Sequence, residues 1–160
     1  DGDHTGLLAV HSLSKQSNLA GYRAAFVAGD PALVSRLLEV RKHAGMMVPA
    51  PVQAAMVAAL DDDAHVAEQR ARYRRRRVAL RAALEGAGFV VDGSAAGLYL
   101  WTRAAGTGQD CWRTVADLAE LGILVAPGAF YGPAGARHVR IALTASDESV
   151  ARAVARLTGA

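Results

Sequence analysis

The stretch Ser12-Leu13-Ser14-Lys15-Gln16-Ser17-Asn18-Leu19-Ala20-Gly21-Tyr22-Arg23 puts a lysine, flanking serines and an arginine within twelve residues. Just before it, Leu7-Leu8-Ala9-Val10-His11 is a compact apolar run after turn residues and reads as a short buried strand. Lys15 therefore falls in a polar loop at the carboxyl end of a strand, where open α/β sheets place ligands. An amine held there can attack a carbonyl and form a Schiff base. The hydroxyls of Ser12 and Ser14 and the guanidinium of Arg23, eight residues past the lysine, suit a phosphate. A phosphorylated aldehyde that bonds to lysine is pyridoxal 5′-phosphate. Spacing alone leaves the plainer alternative open, a surface loop with an ordinary lysine and a strand arginine.

Working outward, Gly21 to Gly29 reads as a second strand, and Asp30-Pro31 opens a helix with Asp30 as N-cap and Pro31 at its first position. Leu33, Leu37, Leu38 and Val40 are expected to give that helix a buried side, and Gly45 to end it. Pro49 and Pro51 mark a break. A helix follows through Leu60, then a capping and solvated element at Asp61-Asp62-Asp63. A long helix over 64–84 carries Val66, Tyr73, Arg77, Leu80 and Leu84 near one face and arginines on the other. Beyond Gly86 and Gly88 come strands at 89–91 and 97–101, and a helix over 110–121 with Trp112, Val115, Leu118 and Leu121 inward. Next come a short strand at 123–125, a Gly/Pro loop over 127–135, a strand at 138–143 and a last helix capped by Ser146-Asp147. Two strands do not make a stable sheet by themselves, so the first segment is expected to be the end of a larger sheet.

Composition limits the function classes. The 160 residues are 52% apolar and 21% charged, which excludes global disorder. One cysteine, Cys111, cannot form an internal disulfide. The stretch 48–60 contains two prolines and falls short of the roughly 20 apolar residues of a membrane span. The five histidines fall at no metal-binding spacing, so no metal site is expected. The net charge of +3 comes from 18 Lys and Arg against 15 Asp and Glu, and only Lys15 and Lys42 are lysines. Arg70, Arg72, Arg74, Arg75, Arg76, Arg77 and Arg81 read as a solvated helix face with Glu68 and Glu85 as counter-charge. Nucleic-acid binding is disfavoured, because Tyr73 is the sole interleaved aromatic.

The twelve-residue stretch closely resembles the cofactor-lysine signature of class I/II aminotransferases, the fold-type I enzymes that use pyridoxal phosphate: Ser-x-Ser-Lys, then Gly-x-Arg. Gly97-Leu98-Tyr99-Leu100-Trp101 resembles the family's glycine-aromatic-x-Trp strand. Pro127-Gly128-Ala129-Phe130-Tyr131-Gly132 resembles its Pro-Gly-x-x-Phe-Gly loop, with Tyr131 in place of Phe. His138-Val139-Arg140-Ile141-Ala142-Leu143 resembles its arginine strand.

The resemblance implies an α/β fold and the C-terminal part of such an enzyme. Residues 1–51 would end the large cofactor-binding domain, 52–87 form a helical connector and 88–160 a small α/β domain. It implies that Lys15 is catalytic and carries the cofactor, that Ser12, Ser14 and Arg23 bind its phosphate, and that Arg140 binds the substrate α-carboxylate. The segments 12–30, 41–59 and 132–145 resemble the succinyldiaminopimelate aminotransferases of high-GC actinobacteria. That implies amino transfer between N-succinyl-diaminopimelate and glutamate/2-oxoglutarate in lysine biosynthesis, by a cytoplasmic homodimer with small-molecule amino acid and 2-oxo acid partners.

The family's ring-stacking aromatic and the Asp that serves the ring nitrogen have no counterpart here; Asp1 and Asp3 lie too near the lysine. The isolated 160-residue chain is therefore expected to be inactive. The competing reading is a truncated, non-catalytic fragment or a partner-binding module.

Overall fold

A computed structural model describes residues 2–106 and 108–159; Asp1 lies outside the described residues. The fold is mixed α/β and divides into two units at Gln69/Arg70.

In the first unit, β1 (Leu8–Ser12) pairs antiparallel with β2 (Ala25–Gly29), from Leu8 opposite Gly29 to Ser12 opposite Ala25. The buried strand expected at 7–11 is instead exposed along its whole length, because β2 alone pairs with it in a two-stranded sheet. The expected strand over 21–29 is also shortened. A 3-10 turn at Ala20–Tyr22 and a left-handed Arg23 precede β2, since the chain must reverse before it can pair. Tyr22 is consequently exposed in the turn and not part of a strand.

Helix α1 (Leu13–Gln16) links the two strands. Its Leu13 is fully buried and forms a small core with Ala24 and Met56, against which Leu19, Val48 and Val52 pack. Helix α2 (Pro31–His43) begins as its sequence dictates: Asp30 Oδ1 accepts from the N–H of Ala32 at 2.8 Å and of Leu33 at 3.3 Å, with Pro31 at the first position. It ends where Gly45 takes φ 73° and Met46 N–H donates to Arg41 O at 3.1 Å. Its expected apolar side is only half realised. Leu33 and Leu37 are half-buried, while Leu38 and Val40 (61% exposed) face outward, because α2 packs chiefly on β2. Helix α3 (Ala50–Leu60) contributes Met56 to the core.

Helix α4 (Asp63–Gly86) spans the division, and its last turns give Leu80, Ala83 and Leu84 to the second unit. There β3 (Phe89–Asp92), β4 (Tyr99–Ala104), β5 (Ala126–Pro127) and β6 (His138–Ala142) form an antiparallel sheet in the order β3-β4-β6-β5. Alternation decides what each face does. Leu100 and Thr102 of β4 and Val139 and Ile141 of β6 are buried. With Val91, Leu80, Leu84, Leu118 of α5 (Cys111–Glu120) and Val150 of α6 (Asp147–Thr158) they make the core. The alternate residues Tyr99, Trp101, Arg103, His138 and Arg140 lie half-exposed on the other face.

Three expectations change here. The strand foreseen at 123–125 pairs instead at Ala126–Pro127, and Leu124 is 92% exposed. Trp112 (54% exposed) and Leu121 turn outward from α5, leaving Val115 and Leu118 inward, because the apolar arc of the helix is wider than the surface it covers. The arginine run is only partly solvated. Arg76 Nε pairs with Asp147 Oδ1 at 2.6 Å and its Nη1 donates to Leu143 O at 2.9 Å. Arg77 donates to Gly97 O.

The Gly/Pro loop folds into two 3-10 turns, Gly128–Tyr131 and Pro133–Gly135. A Cβ at Gly128 would strike the carbonyl of Gly135, and one at Gly135 the carbonyl of Gly128, so both positions require glycine. That approach fixes where Tyr131 sits. Among the described residues no cluster of His, Cys, Asp or Glu could hold a metal, and no helix is long and apolar enough to cross a membrane.

Candidate active site

Ser12 ends β1 in extended conformation (φ −105°, ψ 131°) and caps α1, its Oγ accepting from Ser14 N–H at 3.2 Å. Ser14 is half-buried and Lys15 exposed. Among the described residues the Lys15 amine has no hydrogen bond or ion pair; the other lysine, Lys42, is bonded to Glu39 at 2.7 Å. The loop then turns through two left-handed residues that are not glycine, Asn18 (φ 54°) and Arg23 (φ 53°, ψ 38°). Such backbone costs on the order of 1 kcal/mol or more and persists where neighbouring structure enforces it. Arg23 Nη1 donates to Ala20 O at 3.1 Å, and no carboxylate pairs with its guanidinium among the described residues.

Because Ser12 lies opposite Ala25, the turn residues Ser14, Lys15 and Arg23 gather with Ser12 at one end of the β1–β2 pair. Hydroxyls, a guanidinium without a carboxylate partner and an amine without a partner among the described residues are the groups that a phosphorylated aldehyde needs. The residues present therefore fit pyridoxal 5′-phosphate.

The second unit holds the other candidate, Arg140, on β6. Cross-strand pairing sets Asp92, Trp101 and Arg140 in a row across three strands. Asp92 Oδ2 accepts from Arg103 Nε at 2.9 Å and from His138 Nε2 at 3.1 Å. The His138 bond first, and then Arg103, hold this carboxyl below its ordinary value. His138 in turn stacks on Trp101, with ring centroids 5.0 Å apart and planes 8° apart.

Asp92 is thus engaged, and no carboxylate reaches Arg140 among the described residues. Its guanidinium carbon sits 4.3 Å from the Tyr99 ring centroid and 5.2 Å from that of Tyr131, and its buried Nε has no hydrogen-bond partner. A guanidinium against two aromatic rings, with its buried Nε lacking a partner, has the chemistry to pair with an external anion.

The sequence placed Tyr99 only in a strand motif and Tyr131 only in a loop motif. Their convergence depends on register and on the two 3-10 turns. The one available signal was aromatic residues flanking the arginine strand in both motifs.

Residues 1–157 match the family model described as aminotransferase class I and II, and the chain belongs to that family. The family works with pyridoxal 5′-phosphate. The chain is 71% identical over 158 residues to a probable aminotransferase of Mycobacterium tuberculosis, covering 99% of this chain and 37% of that protein. It is 69% identical over 157 residues to the 4-dedimethylamino-4-oxo-anhydrotetracycline transaminase OxyQ of Streptomyces rimosus, covering 98% and 43%. Among solved structures, a probable N-succinyldiaminopimelate aminotransferase from Thermus thermophilus matches with TM-score 0.84 at 32% identity, covering 99% of this chain and 43% of that one. The chain thus spans about two fifths of the length of the relatives it matches.

Proposed function

We propose that the protein transfers an amino group between an amino acid and a 2-oxo acid, with Lys15 as the cofactor-bearing and proton-moving residue. The observation that carries this is the Lys15 amine, without a hydrogen bond or ion pair among the described residues, in one turn with Ser12, Ser14 and Arg23. When bound, pyridoxal phosphate supplies an aldehyde for the lysine and an electron sink for the substrate carbon. Arg23 gives charged, directional donors to the phosphate, and Ser12 and Ser14 give hydroxyls. The Lys15 amine would take the proton from the substrate α-carbon and pass it to the carbon on the far side of the substrate nitrogen. Arg140, oriented by the faces of Tyr99 and Tyr131, accepts the substrate carboxylate as a bidentate pair.

In the complete protein, residues 1–51 would close the large cofactor domain, 52–87 connect and 88–160 form the small domain. We expect a cytoplasmic homodimer.

For the substrate pair we favour N-succinyl-diaminopimelate with glutamate/2-oxoglutarate, as the Thermus neighbour supports. The 69% identity to OxyQ favours a second reading, a ketone on a fused-ring skeleton. The test is amino transfer from glutamate to each carbonyl acceptor. Turnover with the N-succinyl amino acid's oxo form and none with the polycyclic ketone supports the first reading. The reverse supports the second. With the complete protein, no 2-oxoglutarate from glutamate with any acceptor contradicts the proposal and favours a non-catalytic module.

A further inference from the structure

Lys15 sits on a helix of four residues, too short to hold its own direction. Two anchors flank it. On one side Leu13 is fully buried among Ala24 and Met56. On the other, Ser17 caps the helix and its Oγ lies 3.0 Å from Nε2 of His65, 48 positions further along. The imidazole is itself held, with Nδ1 3.1 Å from Asp62 Oδ2. Asp62 Oδ1 meanwhile accepts from Ala64 N–H at 2.9 Å and His65 N–H at 3.3 Å, so the carboxylate is fixed by the start of α4.

From this geometry we infer that His65 is a positioning residue for Lys15, acting through Ser17 and oriented by Asp62. The inference rests on the cofactor reading of Lys15 proposed above. With Nδ1–H donating to Asp62, the neutral ring presents Nε2 as the acceptor of the Ser17 hydroxyl hydrogen. A charged ring donates to the Ser17 oxygen instead, so the link survives in both states. Serine, histidine and aspartate in series also resemble a hydrolytic relay. Here, however, the backbone N–H groups of Ser17 and Leu19 are both committed to Leu13 O, at 3.1 and 3.3 Å, and neither is free to serve an oxyanion. The chain of bonds is an anchor. Without it the short helix keeps the Leu13 pivot, the Ser12 cap on Ser14 N–H and the Gln16 contact with His11, all on the β1 side, and the lysine loses its hold on the α4 side.

The test uses Ser17→Ala, His65→Ala, the double variant and His65→Gln, whose side-chain amide reaches about as far as Nε2. Two quantities are read: hydrogen exchange of the Ser17 and Leu19 amides in the cofactor-free protein, and affinity for pyridoxal phosphate with borohydride trapping on Lys15. Losing one hydrogen bond of ordinary net strength predicts about tenfold faster exchange and about tenfold weaker binding in either single variant. The double variant should be no worse than either single one, and His65→Gln should recover most of both losses. Multiplying single-variant effects, unchanged exchange, or a His65→Gln variant as impaired as His65→Ala overturns the inference. If the unaltered protein takes no pyridoxal phosphate on Lys15, the cofactor reading falls and takes the role of His65 with it. If it does, and His65→Ala binds as tightly, only the positioning role falls.

Discussion

Arg23 holds a left-handed backbone (φ 53°, ψ 38°) that disfavours a residue with a Cβ, offset in part by its own Nη1 bond to Ala20 O. Strain at such a position points from geometry to use. Arg23→Gly separates the two: the backbone relaxes and folding stability rises by about 1 kcal/mol, because glycine carries no penalty in that region. Affinity for pyridoxal phosphate should fall at the same time. Denaturant melts beside a cofactor titration read both effects, and a less stable glycine variant would contradict the strain.

Arg140→Lys keeps the charge but loses the planar fork between Tyr99 and Tyr131. KM for the carboxylate substrate should rise by about tenfold or more, the worth of a bidentate charged pair, with little change in melting temperature. Steady-state kinetics on the acceptor series reads it. At this scale the sequence was informative where chemistry depends on residue type. Lys15, Ser12, Ser14 and Arg23 suggest a phosphate-and-amine site by type and spacing, and Arg140 is picked out by the resemblance of its strand to the family's. The left-handed turn at Arg23, the ring cage around Arg140 and the Ser17–His65 link arise from register and from contacts between distant residues, which local spacing does not encode.

Elements were legible where their signals are local. The Asp30 and Ser146 caps each accept a backbone N–H at a helix start, as their positions before apolar periodic runs imply. Burial was less legible. The apolar composition of β1 says nothing of whether a second layer covers it, and β5 shifts to Ala126–Pro127 because pairing with β6 decides which residues form the strand.

Within the second unit, Asp92 joins β3 to β4 and β6 through Arg103 and His138. Those bonds hold its folded value below the ordinary 3.8. A depressed carboxylate contributes stability that is complete above its unfolded value and is lost as pH falls through the lower folded one. Asp92→Asn should therefore be less stable than the parent near neutrality, and the difference should shrink as pH falls below 3.8 and through the lower folded value. Thermal melts across about pH 2–7 check this; a difference that grows toward acid would contradict it.

At the scale of the whole molecule, family membership and the gathered turn around Lys15 converge on one chemistry. Relatives with such different substrates in their names show why the α/β class and cofactor are easier to read than the acceptor. Cofactor attachment needs one lysine turn, whereas acceptor choice depends on side chains spread over the whole enzyme.

The chain's two lysines make the central claim directly measurable. The protein is incubated with pyridoxal phosphate, reduced with borohydride, digested and weighed peptide by peptide. A phosphopyridoxyl group confined to the Lys15 peptide, and lost in Lys15→Ala, is the result predicted. Labelling of Lys42 in preference to Lys15, or of neither, would contradict it.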